Sequence, residues 1–108
     1  MDNIFDGVKR RADEEEITAL LARPGIRIER IVSTGQASPP DFWYDQPNDE
    51  WVILLTGSAG LAVEGEDERR LAPGDIAFLP ARKPHRVAWT DADGPTVWLA
   101  VHFGEGVG

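Results

Sequence analysis

The stretch LAPGDIAFLPARKPHRV, residues 71–87, decides the fold. Two short apolar runs, IAFLP and HRV, are each preceded by a proline-containing turn. Pro73-Gly74 suits the two central positions of a type II turn, because proline fixes φ at the first position and glycine allows the positive φ at the second. Short strands punctuated in this way are typical of an antiparallel all-β protein.

The same pattern of apolar runs and turns extends in both directions from this stretch. The other runs are IRIERIV, EWVILLTG, AGLAVEG, ERRL, HRVAWT and TVWLAVHF, and the loops between them are rich in Gly and Pro. Strands at such regular spacing predict an all-β barrel or sandwich. We assign the barrel to residues 26–103 and a tail to residues 104–108. No second domain or linker is visible in the 108 residues.

One segment near the start has helical spacing instead. Asp13 with Glu16 three residues later resembles a capping box. The apolar residues that follow recur at the i, i+3 and i+4 positions of one stripe. They are Ile17, Leu20 and Leu21. The sequence therefore predicts an N-terminal arm with one short helix in residues 1–25, lying across the sheet.

Composition and charge exclude several function classes. The 11 Lys+Arg and 19 Asp+Glu residues give a formal net charge of −8. Nucleic acid and anionic lipid both require a clustered basic surface, so we expect neither as a partner. The absence of cysteine excludes disulfides, thiolate metal sites and cysteine nucleophiles.

Two further patterns bear on where the protein acts. No apolar run approaches the ~20 residues of a membrane-spanning helix. The opening MDNIFDGVKRRADEEE contains no hydrophobic signal segment. We therefore expect a soluble cytoplasmic protein.

Two stretches together resemble the sequence motifs of the cupin superfamily, whose members are small jelly-roll barrels. The first stretch is WYDQPNDEWVILLTGSAG, in which six residues separate Glu50 from Gly57. The second is residues 71–87, which keeps the family's spacing at Gly74, Pro80 and His85. The resemblance covers most of the chain and implies a single cupin jelly-roll barrel.

The sequence departs from the cupin motifs at several positions. The two histidines of the first motif are missing. Depending on a three- or four-residue spacer, their positions hold Tyr44 and Gln46, or Trp43 and Asp45. In the second motif, a usual Gly is replaced by Arg82 and a usual Asn by Trp89.

The resemblance also implies a metal site. Metal-binding cupins hold a divalent ion inside the barrel on three His and one Glu, and open positions accept substrate or water. Glu50 and His85 carry over as ligands, and Gln46 is a candidate third because an amide oxygen can coordinate. His102 belongs to neither motif but shares the strand parity of Trp98. It is either a second imidazole ligand or a hydrogen-bonded core histidine. The implied ion is Zn, Ni, Mn or Fe.

For the function, the resemblance implies a small-molecule ligand inside the barrel. With a metal, the implied reactions are dioxygenation, isomerisation or lyase chemistry. Glu50 would then be a ligand or general base and Tyr44 a proton donor or orienting group, which makes these two the candidate catalytic residues. Two alternatives stay open: a metal-free module that binds or senses its ligand without turnover, and an accessory subunit that acts through an apolar outer face.

Two predicted strands are apolar on both faces, Trp51–Leu55 and Val97–Val101. In a two-sheet barrel one face of a strand lies inside and the other normally contacts water. The predicted helix would cover only part of the second face. We therefore expect a homodimer that buries one of these outer faces.

Overall fold

The computed structural model describes all 108 residues. Its strands form two antiparallel sheets, and it contains no helix. The eight strands are β1 (Glu16–Arg23), β2 (Ile26–Ser33), β3 (Asp49–Thr56), β4 (Ala59–Val63), β5 (Arg69–Leu71), β6 (Ile76–Leu79), β7 (His85–Thr90) and β8 (Thr96–Phe103). The larger sheet has the order β1-β2-β8-β3-β6 and the smaller sheet the order β5-β4-β7. The predicted all-β fold is confirmed. No helix long and apolar enough to cross a membrane is present.

The segment predicted as a helix is the strand β1, and the helical prediction is wrong. A β-bulge lies between Ala19 and Leu21, so Leu20 is an extra residue without a partner on β2. The bulge shifts the alternation of inward and outward side chains by one position. Ile17 pairs with Ile31 and Leu21 with Ile28, which point to opposite sides of β2 because they are an odd number of residues apart. The helical spacing of the apolar residues therefore does not correspond to one buried stripe.

The core lies between the two sheets and consists of the inward side chains of both. They are Val52, Leu54, Ala77, Leu79, Trp98 and Ala100 from the larger sheet and Ala59, Leu61 and Leu71 from the smaller one. Because side chains alternate along a strand, Glu50 on β3 and His102 on β8 continue the same inward rows. The inward face therefore changes from apolar to polar towards one end of the barrel.

The other side of the larger sheet is apolar too. Cross-strand pairing puts Trp51, Phe78 and Val101 on one face, and Phe78 is 54% exposed, which identifies that face as the outer one. The ring of Phe78 stacks on Phe103 with 6.2 Å between the centroids. We call this surface the outer apolar face; its members are Ile28, Trp51, Ile53, Ile76, Phe78, Leu99, Val101 and Phe103.

N-terminal residues lie against part of the outer face of this sheet. The buried Arg30 side chain on β2 holds them there. Its Nη1 donates to the carbonyl oxygens of Ile4 at 3.1 Å and Asp6 at 2.5 Å. The N-terminal arm therefore covers the area around Arg30 and leaves Phe78 and Ile76 exposed.

The tight turns give a first prediction. Gly74 has φ +92°, as predicted for the Pro73-Gly74 turn, and a Cβ there would meet nothing within 4 Å. Gly57 has φ +88°, and a Cβ there would clash with Thr96 and lie 2.8 Å from the carbonyl oxygen of Pro95. We expect Gly74→Ala to lower the free energy of unfolding by about 1 kcal/mol, from backbone strain alone.

We expect Gly57→Ala to lower the free energy of unfolding by clearly more than Gly74→Ala does, because steric overlap adds to the same backbone strain. Thermal unfolding of the two variants measures the difference, since 1 kcal/mol corresponds to roughly 4–8 °C in a domain of this size. Equal losses in the two variants would contradict the close approach of Gly57 to the strand β8.

Candidate functional site

A cavity of about 290 Å³ opens between the sheets at the polar end of the barrel interior. Its apolar wall consists of Ile31, Val52, Leu61, Leu79, Val87 and Trp98. Its polar end consists of Arg27, Glu29, Gln46, Glu50, His85 and His102. Tyr44, Glu15 and Ile17 also line it. Every predicted site residue therefore contributes to one cavity, and the roles assigned to them stay predictions.

Both sheets supply the polar end. Arg27 lies opposite His102 across β2 and β8, and His102 lies opposite Glu50 across β8 and β3. His85 enters from the smaller sheet, at the start of β7. The backbones of Tyr44 and His85 form two hydrogen bonds with each other, with N–O distances of 2.7 and 3.0 Å. This bridge explains why the loop before β3 reaches the cavity.

Glu50 is at the centre of the polar end. Its side chain is buried, and its Oε1 accepts one hydrogen bond, from Gln46 Nε2 at 2.7 Å. His85 Nε2 is 3.8 Å from Oε1, and His102 Nε2 is 4.0 Å from Oε2. Both distances are too long for hydrogen bonds. A buried carboxylate with a single neutral donor keeps much of its desolvation penalty, so Glu50 favours an added donor or cation.

The hydrogen bonds of His102 define its tautomer. Asn48 Nδ2 donates to the carbonyl oxygen of Asp49 at 3.1 Å and lies 3.0 Å from His102 Nδ1. Because an amide nitrogen can only donate, Nδ1 accepts and the ring proton is on Nε2. His102 Nε2 then carries its proton 3.2 Å from Glu29 Oε1, close to that carboxylate but without the geometry of a hydrogen bond. In this tautomer His102 presents an N–H group, not a lone pair, near Glu29.

His85 has the opposite tautomer. Its Nδ1 lies 3.1 Å from the carbonyl oxygen of Lys83, which can only accept, so Nδ1 carries a proton. In the neutral ring this leaves the lone pair on Nε2, near Glu50. The ring also stacks on Tyr44, with 5.6 Å between the centroids and 24° between the planes. His85 is thus the imidazole that can accept a proton or bind a metal.

Tyr44 is held in its protonated form. Burial raises the pKa of its phenol above the usual 10.0, and the negative charges of Glu15 and Glu50 raise it further. The hydroxyl group is therefore protonated at neutral pH and able to donate a hydrogen bond, and the role of Tyr44 as proton donor or orienting group stays a prediction.

The metal-ligand set can be compared with these contacts. No three His, Asp or Glu side chains converge as the ligands of one metal ion would. Lone pairs face the cavity from Glu50 and His85, with the amide of Gln46 beside them, whereas His102 is engaged with Glu29. The residues as placed therefore fit a divalent ion only in part, and the four-residue set stays a prediction.

Arg27 and Glu29 line the polar end, and Asn48 contacts His102 without lining the cavity; the sequence pattern singled out none of the three. Arg27 Nε donates to Glu29 Oε2 at 2.9 Å, and this pair adjoins His102. A usable signal was present, because both residues share the strand parity of Ile31, which faces the cavity.

Comparison with known proteins identifies the family of this chain. A family model for the cupin domain matches residues 29–102, which include both motif stretches. This chain belongs to the cupin family. The match confirms the family resemblance of the two motifs, although the first lacks both histidines.

Two solved structures are similar to this chain in fold, one at high and one at low sequence identity. A provisionally named mannose-6-phosphate isomerase from Ralstonia eutropha JMP134 is 54% identical, with a TM-score of 0.93 over 95% of this chain and 96% of that one. A cupin superfamily protein from Desulfitobacterium hafniense DCB-2 is 18% identical, with a TM-score of 0.74 over 89% and 83%. The second likeness shows the shared cupin fold only.

A curated relative is also similar over a shorter stretch. Dimethylsulfoniopropionate lyase DddQ from Ruegeria pomeroyi is 40% identical over 43 residues, which are 40% of this cupin and 21% of the lyase. Its crystal structure is 24% identical, with a TM-score of 0.73 over 94% of this chain and 54% of that one. This cupin spans about half the length of the lyase structure, and the structural likeness shows the fold.

The two tautomers are directly measurable. The chain contains only two histidines, so a ring-nitrogen correlation NMR spectrum of ¹⁵N-labelled protein resolves both. In the neutral rings we expect the proton of His102 on Nε2 and that of His85 on Nδ1. Asn48→Ala should remove the preference of His102 for one tautomer and leave the tautomer of His85 unchanged. Identical tautomers in the wild-type protein would contradict the hydrogen-bond assignment.

Proposed function

We propose that this cupin binds a small organic molecule in the barrel cavity, with a polar group of the ligand at Glu50 and His85. The separation of the cavity into an apolar wall and a polar end carries the proposal. Small-molecule sites are typically apolar clefts in which a few convergent polar groups fix the orientation of the ligand. A cavity of about 290 Å³ is close to the lower end of their size range.

The polar end also supports proton transfer as the accompanying chemistry. His85 Nε2 offers an unpartnered lone pair and Tyr44 a protonated hydroxyl, which are the acceptor and donor that general acid–base catalysis needs. Similar proteins include one named an isomerase and one named a lyase, and both reaction classes commonly begin when a base removes a proton from carbon. Isomerisation or elimination is therefore the reaction type that we propose.

The test of ligand binding is a thermal-shift screen of small fragments against wild type and two matched variants. Val87→Phe narrows the cavity, whereas Val101→Phe adds the same side chain on the outer apolar face. A ligand at 100 times its Kd stabilises the protein by about 2.7 kcal/mol. We expect this shift in wild type and Val101→Phe and its loss in Val87→Phe. Equal shifts in both variants would place the ligand outside the cavity.

A second candidate function involves a divalent metal. The observation that favours it is that His85 Nε2 and Glu50 Oε1 face the same space 3.8 Å apart, with Gln46 beside them. His102 Nε2, 4.0 Å from Glu50 Oε2, could complete the set. A metal bound there would supply a Lewis acid for lyase, isomerase or dioxygenase chemistry.

Calorimetric titration of metal-free protein with zinc tests this candidate. We expect one modest binding event in wild type, because the site has fewer imidazoles than three His and one Glu. His85→Ala should abolish binding, and the exposed surface variant Glu66→Gln should retain it. No uptake of zinc by wild type at neutral pH would leave His85 as a base and hydrogen-bonding residue.

We also propose that two copies of this cupin associate through the outer apolar face. The eight members of the face carry no charge, whereas the chain as a whole carries a net charge of −8. Two chains of the same negative charge therefore repel each other least if they associate through this uncharged face. Exposed apolar patches of this kind commonly mark protein interfaces.

Light scattering at micromolar concentration measures the association. We expect twice the mass of one chain for wild type and a shift towards the monomer for Phe78→Asp, which buries a charge in the interface. Phe42→Asp changes a similarly exposed aromatic residue in the loop before β3 and should stay dimeric. A monomeric wild type would overturn the proposal.

A further inference from the structure

The charges that line the cavity are unbalanced. Three carboxylates, those of Glu15, Glu29 and Glu50, face a single guanidinium, that of Arg27, so the formal charge is −2 with both histidines neutral. Arg27 is already paired with Glu29 at 2.9 Å. The carboxylate of Glu50 has no such partner: the ring nitrogens near it are His85 Nε2 at 3.8 Å and His102 Nε2 at 4.0 Å. The cavity therefore attracts positive charge and repels anions.

The hydrogen-bonding groups show the same imbalance. Glu50 accepts one bond only, and the Nε2 atom of His85 has no partner within hydrogen-bond distance. These two acceptors are 3.8 Å apart, so one nitrogen can lie about 2.9 Å from both. A primary ammonium group carries three N–H donors and no acceptor. It satisfies the two acceptors and neutralises the carboxylate with a charge-assisted hydrogen bond.

The remainder of the cavity defines the rest of the ligand. Side chains of Ile31, Leu79 and Val87 and the ring of Trp98 form its wall, and none of them carries a charge. Such a wall favours an aliphatic or aromatic body over a polyhydroxylated one.

We propose that the ligand of this cavity is a primary amine, bound as its ammonium ion at Glu50 and His85, with an apolar body of about the size of one aromatic ring. This inference rests only on the binding part of the proposed function. It does not use the proton transfer proposed there, because the ammonium group occupies the lone pair of His85 Nε2. It disfavours a sugar phosphate for this chain, because a phosphate group would add negative charge beside an unpaired carboxylate.

Three probes with the same body test the inference. Phenethylamine, 2-phenylethanol and phenylacetate present an ammonium, a hydroxyl and a carboxylate group on one aromatic ring. They are titrated calorimetrically into metal-free protein with a chelator present, so that no metal ion competes at Glu50. We expect the amine to bind at least about tenfold more tightly than the alcohol, which corresponds to 1.4 kcal/mol, and the carboxylate to bind most weakly.

Two variants locate the charge that is recognised. Glu50→Gln removes one negative charge inside the cavity, and Glu66→Gln removes one from an exposed turn. We expect Glu50→Gln to reduce the affinity for the amine about tenfold or more and to leave the alcohol nearly unchanged, and Glu66→Gln to change neither. If Glu50→Gln does not fold, the ranking of the three probes on wild type decides alone.

Each contrary outcome overturns the inference. Equal affinity for amine and alcohol, or tighter binding of the carboxylate, shows that the cavity binds small molecules without selecting a cation. In that case the proposed function stands. If none of the three probes binds, the amine assignment fails, and the fragment screen with Val87→Phe decides separately whether the cavity binds any ligand.

Discussion

A carboxylate buried inside an apolar barrel must be compensated, and the polar end is arranged around Glu50 without fully compensating it. Gln46 donates one hydrogen bond to it. The strongest neighbouring donors are engaged elsewhere, because both Arg27 and His102 are directed at Glu29. Arg27 pairs with Glu29 and not with Glu50, and His102 Nε2 lies nearer to Glu29, at 3.2 Å, than to Glu50, at 4.0 Å. Glu50 and the Nε2 atom of His85 are left as acceptors that face the cavity together.

The fold and part of the site could be predicted from sequence because they depend on local rules. Pro73-Gly74 restricts φ at consecutive positions, so its turn needs no tertiary information. Strand parity correctly grouped His102 with Trp98 on the inner face of β8. Parity fails where the count of residues is interrupted. Pro47 breaks any strand before Glu50, so the position of Gln46 beside it rested on the family resemblance and not on geometry.

The missed residues of the site show a different limit. On an alternating strand, charged positions are normally those that face water, so the charges of Arg27 and Glu29 argued against the cavity side that their parity with Ile31 indicates. The usual assignment is reversed here because the outer face of the same sheet is apolar. The contact between Asn48 and His102 joins residues 54 positions apart. Such a contact exists only once β3 and β8 are paired, and no spacing rule predicts it.

The bulge in β1 has a consequence for how this cupin behaves at high concentration. β1 is an edge strand of the larger sheet, so one row of its peptide groups has no partner strand. A long, flat edge with exposed apolar side chains is a template for strand addition and aggregation. The extra residue Leu20 twists β1 and interrupts its regular hydrogen-bonding pattern. Leu20, whose spacing from Ile17 resembles a helix in the sequence, is therefore also the residue that makes the edge of this sheet an irregular template for a strand of another molecule.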